Sequence, residues 1–185
     1  MKFEVVDTQI EGVKILERQL VGDLRGSFSR LFCFEQLHAL GWDKPVAQTN
    51  LSQNHGAGTL RGLHLQLPPH AEMKFVQVLE GYVLDVAVDL RRGSATYGDH
   101  IAAELSAENR RGLLIPDGCA HGFQVVSEEA TLLYHHSAAY HPESESGVRF
   151  DDCDLNINWP LPPINLSARD VELPSFASFG DGVDL

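Results

Sequence analysis

Arg61 and His64 stand three residues apart in the apolar stretch Thr59-Leu60-Arg61-Gly62-Leu63-His64-Leu65-Gln66, and Lys74 follows ten residues after the histidine. A guanidinium holds an anion and an imidazole moves a proton near neutral pH, so the pair suits an enzyme of charged substrates. In a regular strand the two side chains would point to opposite faces; a bulge at Gly62 would turn them to the same side. Taken alone, His64 reads more readily as a core histidine bonded to a backbone carbonyl. The rest of the chain has to decide between the two.

Three more stretches offer polar chemistry. Pro116-Asp117-Gly118-Cys119-Ala120-His121 is a Pro-x-Gly-x-x-His turn between two apolar segments, so His121 opens a returning strand. Leu132-Leu133-Tyr134-His135-His136 sets Tyr134 near a strand end, with Tyr140 six residues on. A buried phenol with its hydroxyl satisfied is the plain account of such a tyrosine. Ser167-Ala168-Arg169-Asp170 reads by itself as a helix cap or a solvated charge pair. His55, His70 and Glu72 are conceivable metal ligands beside His121, but Lys74 would sit badly next to a divalent cation, and no metal is expected.

The elements that must position these groups are short strands. Gln48, Asn50 and Ser52 alternate with less polar neighbours and share one face, a pocket wall if that face lines a barrel mouth. Two short strands are expected within residues 1–22 and an aromatic-rich one from Phe28 to Phe34. Lys74–Leu79 and Tyr82–Leu90 read as a hairpin closed at Glu80-Gly81. Further strands are expected over Asp99–Leu105, Gly112–Ile115, Gly122–Val126 and Thr131–His136. One helix candidate spans Phe34–Leu40, stopped by Gly41. The pattern predicts an all-β sandwich or barrel in a single domain over 1–185, with a proline-rich C-terminal arm over the barrel and a tail from Ser175 to Leu185 that frays.

Composition narrows the class. The 185 residues suffice for one sizeable core, and a formal net charge of −12 disfavours nucleic acid as a partner. No apolar run approaches the roughly 20 residues that span a bilayer, and no signal peptide is evident. Three scattered cysteines without a Cys-x-x-Cys pair suit a reduced, cytoplasmic setting.

The turn from Pro116 to His121 resembles the second motif of the cupin superfamily, a small double-stranded β-helix or jelly roll. More specifically, an ordered series resembles the dTDP-4-dehydrorhamnose 3,5-epimerase family. The series is Asp23–Phe28, Gln48–Asn50, Arg61–His64, Lys74, Asp85–Ser94, Glu104–Ser106, Ile115–Phe123, Tyr134, Trp159-Pro160 and Ser167–Asp170. The resemblance runs from about Gly12 to Asp170.

It implies a cofactor-independent epimerase of a nucleoside-diphosphate 4-keto-6-deoxy sugar. By resemblance His64 is the base, Asp170 its carboxylate partner, Lys74 the holder of the enolate oxygen and Tyr134 the acid on the other face. Arg25 and Arg61 would bind the pyrophosphate with Gln48 and Asn50 nearby, His121 would line the sugar site and Tyr140 would pack on the base. Arg30 and Glu145 complete the substrate-binding set. Val21 stands where the family usually has an aromatic residue and Arg30 where it has glutamate. Both positions help hold thymine, so a CDP or GDP sugar is the alternative expectation, as is inversion at C3 or C5 alone. A metal-dependent cupin oxygenase or isomerase is the alternative of another class. Relatives are usually homodimers with exchanged N-terminal strands, which the pieces before Gly22 allow.

Overall fold

The computed structural model describes residues 2–185. Along the chain run β1 (Phe3–Asp7), β2 (Lys14–Arg18), β3 (Leu20–Asp23), β4 (Gly26–Ser29), α1 (Phe34–His38), β5 (Gln48–His55), β6 (Leu60–Gln66) and β7 (Lys74–Glu80). They are followed by β8 (Tyr82–Asp89), β9 (His100–Ser106), β10 (Arg111–Ile115), β11 (Cys119–Val125), β12 (Glu129–His136), β13 (Glu145–Gly147) and α2 (Ala168–Glu172). Two antiparallel sheets form a jelly roll. One has the order β1-β2-β10-β7-β12-β5 and the other β13-β6-β11-β8-β9.

Alternation along the strands builds the space between the sheets. In β9, Ile101, Ala103 and Leu105 turn inward to meet Val76, Val78, Leu113, Leu132 and Phe123. β8 and β11 are largely buried on both faces because each is covered twice. Val86, Val88 and Ala120 pack outward against Leu155, Val183, Trp159, Phe176 and Phe179 of the C-terminal arm. The other sheet has its outer face covered near α1, where Leu37 and Trp42 close over Leu16, Phe75 and Leu114.

Several expectations are corrected. Glu80-Gly81 does not close a hairpin, because β7 and β8 lie in different sheets. Gly81 instead turns a corner between sheets at φ +78°, where a Cβ would stand 2.0 Å from the Glu129 carbonyl oxygen. A glycine at a tight turn signals a change of direction, not which sheet the chain enters next. The strand expected to Phe34 ends at Ser29. The tail does not fray: Val183 is buried and donates its N–H to the Leu90 carbonyl at 2.7 Å, while Arg92 donates to Val183 at 2.9 Å. Its apolar residues cover the outer face of β8, which otherwise would meet water.

The N-terminal pieces divide. β1 and β2 belong to the chain's own sheet through β10. β3 and β4 form a separate two-stranded ribbon that leaves Leu20, Val21, Leu24 and Phe28 exposed.

Candidate active site

The mouth between the sheets is a cleft of about 340 Å³, at the lower end of the usual range for ligand sites. β6 brings His64 and Arg61 to it, and β11 brings His121. From the other sheet β7 supplies Lys74, β12 supplies Tyr134 and His136, and β5 supplies Gln48, Asn50 and Ser52. Asp170 and Arg169 come from α2, Tyr140 and Glu145 from the segment after β12.

Arg61 and His64 do share one side. β11 pairs His121 with His64 but Phe123 with Arg61, so two residues on β6 oppose one on β11. That is the bulge the pair requires. Gly62 makes it feasible: its φ is +120° and a Cβ there would lie 2.5 Å from Gly122 Cα. Close approach of two glycine backbones admits no side chain.

His64 Nε2 sits 2.7 Å from Asp170 Oδ1, which also accepts the Gly62 N–H at 3.2 Å. Asp170 is held by its own helix start, where Ser167 N and Oγ donate to Oδ2 and the Ser167 oxygen accepts from Asp170 N. The helix-cap reading of Ser167 is therefore correct, and the cap also aims the carboxylate. Burial is the largest influence on the Asp170 carboxyl and raises it, but His64, Ser167 and the Gly62 N–H together hold it well below the usual range. Burial, with Arg169 and Lys74 nearby, lowers His64 below its ordinary value, and Asp170 only partly offsets this. A neutral imidazole giving Nε2–H to Asp170 leaves a lone pair on Nδ1, as a base requires.

Lys74 is buried and donates to the His64 carbonyl at 3.0 Å. Its ammonium also lies 3.3 Å from Glu72, whose other oxygen meets His136 Nδ1 at 2.9 Å. Burial raises the Glu72 carboxyl, but Lys74 and His136 outweigh it and the net direction is down. Tyr134 lies in the same wall, edge-on to His121 with centroids 5.8 Å apart and stacked on His136 at 5.8 Å. Burial and the charge of Asp85 push its phenol well above the ordinary value, against a smaller pull from Arg61. His121 Nε2 meets both Asp85 oxygens, at 3.0 and 2.9 Å.

Arg61 Nε donates to Asn54 at 2.7 Å, leaving the end of its guanidinium for an anion. Gln48 accepts the Tyr140 N–H at 3.1 Å, and the half-exposed Tyr140 hydroxyl donates to Glu145 at 2.8 Å. Arg169 pairs with the other Glu145 oxygen at 2.5 Å.

Arg25 and Arg30 are not brought to this cleft. Arg25 is at the exposed tip of the β3–β4 ribbon, bonded to Asp23, and Arg30 follows directly after the ribbon. The conceivable metal set does not gather either: His55 is exposed beside Glu129 and His70 lies outside the cleft. Sequence reasoning gave no role in the cleft to Asp85, His136 or Arg169, and named Glu72 only as a conceivable metal ligand rather than as the partner of Lys74 and His136. Asp85 had a signal, a lone carboxylate in the apolar run Val83–Val88. His136 had one too, two residues from Tyr134 on the same face of a strand.

Comparison with known proteins gives a consistent picture. The model of the family described as dTDP-4-dehydrorhamnose 3,5-epimerase matches residues 7–178. The chain is 42% identical over 177 residues to dTDP-4-dehydrorhamnose 3,5-epimerase of Shigella flexneri, covering 94% of this chain and 96% of that protein. The structure of dTDP-6-deoxy-D-glucose-3,5-epimerase from Legionella pneumophila in complex with dTDP-4-keto-L-rhamnose superposes with a TM-score of 0.90. It is 40% identical, covering 95% of this chain and 93% of that one. A 4-keto-6-deoxy sugar epimerase from the novobiocin cluster of Streptomyces spheroides gives a TM-score of 0.89 at 36% identity, with 96% and 89% covered.

Proposed function

The chain belongs to the dTDP-4-dehydrorhamnose 3,5-epimerase family, and from that premise we propose how its cleft acts on a dTDP-linked 4-keto-6-deoxy sugar. His64 Nδ1 takes the proton from a carbon beside the ketone, and Asp170 stabilises the imidazolium that forms. The electron pair moves onto the ketone oxygen, where the Lys74 ammonium holds the developing enolate; losing such a donor typically costs about 2.7–4 kcal/mol. Tyr134 then delivers a proton from the opposite sheet, the enolate collapses to the ketone, and the carbon is inverted. His121 with Asp85 lines the sugar site, Arg61 with Asn50 and Gln48 takes the pyrophosphate, and Tyr140 offers its ring to the base. The observation that carries this reading is His64 on one sheet, paired with Asp170 of α2, facing Tyr134 and Lys74 on the other sheet, all lining one cleft.

The dTDP reading takes precedence over a CDP or GDP sugar because the Shigella flexneri and Legionella pneumophila relatives are dTDP-sugar epimerases by name. The same resemblance favours an epimerase over a metal-dependent cupin oxygenase. The whole chain acts as one domain, and we infer a homodimer. The unpartnered β3–β4 ribbon, with Val21, Leu24 and Phe28 exposed, is the segment suited to reach a second copy. In that assembly Arg25 and Arg30 would come to the pyrophosphate and the base. Among the described residues no helix is long and apolar enough to cross a membrane, and all three cysteines are free, which suits the reduced cytoplasm.

The test is proton exchange in heavy water on dTDP-4-keto-6-deoxyglucose, followed by NMR, with the CDP and GDP sugars alongside. Deuterium at C3 and C5 of the dTDP sugar is the expected result. Exchange at one carbon would restrict the enzyme to that position, and none would overturn the proposal.

A further inference from the structure

Outside the cleft, the connection from β6 to β7 meets the segment after β12 at two stacked histidines. The rings of His70 and His141 lie face to face, with centroids 3.5 Å apart and planes 9° from parallel. One nitrogen of each is already engaged: His70 Nδ1 with Ser144 Oγ at 2.8 Å, and His141 Nδ1 with Glu143 Oε1 at 3.1 Å. A neutral imidazole that donates its Nδ1–H keeps its lone pair on Nε2.

His70 is held as metal-binding histidines usually are, with Nδ1 bonded to the Ser144 oxygen and Nε2 left for an ion, while at His141 the ion takes the proton's place between Nδ1 and Glu143. The backbone is fixed as well. Gln66 Nε2 donates to the His70 carbonyl at 3.1 Å and Gln66 Oε1 accepts the His141 N–H at 2.6 Å. One ligand atom from each of His70, His141 and Glu143 lies within 4.8 Å of the other two.

We propose that His70, His141 and Glu143 form a binding site for a late first-row divalent cation such as Zn²⁺ or Cu²⁺. Two imidazoles and one carboxylate make a borderline donor set, unsuited to Mg²⁺ or Ca²⁺, which take oxygen ligands. Metal–nitrogen bonds of about 2.0–2.1 Å in a tetrahedral site put two ligating nitrogens roughly 3.4 Å apart, close to the ring separation. Parallel rings do not aim both lone pairs at one point, so one must tilt. His141 is the one able to turn, with its side chain 36% exposed. The bound ion would tie the β6–β7 connection to the segment that carries Tyr140 and Glu145.

The experiment is calorimetric titration of the untagged full-length protein with ZnCl₂, CuCl₂ and MgCl₂ in a non-coordinating buffer, with the electron paramagnetic resonance spectrum of the Cu²⁺ form. The expected result is one Zn²⁺ or Cu²⁺ per chain, imidazole nitrogen couplings in the Cu²⁺ spectrum, and no Mg²⁺ uptake. Affinity should fall by at least roughly tenfold in His70→Ala and in His141→Ala, and hold in His55→Ala. Glu143→Gln, a change at an exposed side chain that leaves the fold undisturbed, should weaken binding as well. Failure of the parent to take up either ion would overturn the proposal. So would unchanged affinity in both histidine variants, which would place the ion elsewhere, for instance at Cys153.

Discussion

His64 Nε2 and Asp170 Oδ1 meet at 2.7 Å although 106 positions separate them in the chain. The contact ties the barrel strand β6 to the helix that ends the active part of the C-terminal arm. Asp170 has little freedom there, since Ser167 and Gly62 occupy its remaining acceptor positions. A fixed carboxylate selects one tautomer of the histidine, and burial keeps that histidine neutral.

The acid limb of the kcat/KM profile is therefore expected below pH 6.5, because His64 is lowered from its ordinary value and must be neutral to act. Asp170→Asn removes the group that raises His64, so the limb should move lower still while the rate falls on the order of 10²–10⁴. Stability follows the same sign. Unfolded His64 takes its proton near pH 6.5 and the folded group resists, so its contribution is present above about 6.5 and is lost as pH falls below it. Asp170 acts likewise at lower pH, contributing above about 3.9 and losing that contribution as pH falls toward its depressed folded value. A limb above 6.5, or one that Asp170→Asn leaves in place, would contradict the assignment.

Tyr134 should separate exchange from inversion. Its phenol is held well above the ordinary value by burial and by Asp85, so it stays protonated as an acid and no alkaline loss from its ionisation is expected up to pH 10. Tyr134→Phe should continue to wash deuterium into the substrate through His64, while formation of the inverted sugar drops by about 10²–10⁴. Parallel loss of both signals in NMR would show that Tyr134 is not the acid.

Much of this site is legible in the chain because side chains alternate along strands. Gln48, Asn50 and Ser52 line the cleft as their period of two requires, and the bulge at Gly62 was needed to place Arg61 with His64. What a strand's own sequence does not contain is its neighbour across the sheet. Glu72 meets His136 over 64 positions, and nothing local to either residue indicates the other. The turn at Gly81 fits a hairpin or a corner equally well, and only the completed sheets distinguish them. The position of Arg25 depends on what the β3–β4 ribbon reaches, which lies outside the chain's own core.

Glu72 and Lys74 form a buried pair, each side chain only 8% exposed, with His136 on the far carboxylate oxygen. Removing one member leaves a charge without its partner, a change that typically costs about 3–5 kcal/mol. Glu72→Ala and Lys74→Ala should each destabilise the protein by that order in urea denaturation. The double variant should lose clearly less than the sum, since neither charge is then stranded. Additive losses would mean that the two groups do not interact.

Gly62→Ala tests the bulge itself. The new Cβ would stand 2.5 Å from Gly122 Cα and 2.8 Å from the His121 carbonyl oxygen, at φ +120°. Both contacts are backbone atoms of a paired strand, so no side chain can swing away to relieve them. The conformation alone costs about 1–3 kcal/mol, and with the overlap the total should exceed about 4 kcal/mol, a loss reserved for severe core lesions. Gly93→Ala is the matched control, because Gly93 also has a positive φ, +73°, but a Cβ there meets nothing within 4 Å. It should cost only the conformational part, on the order of 1 kcal/mol, and keep full activity. Gly62→Ala should lose activity even in the fraction that remains folded, because separating β6 from β11 turns Arg61 away from His64. Equal urea midpoints for the two variants would show that the close approach at Gly62 does not set the geometry of the base.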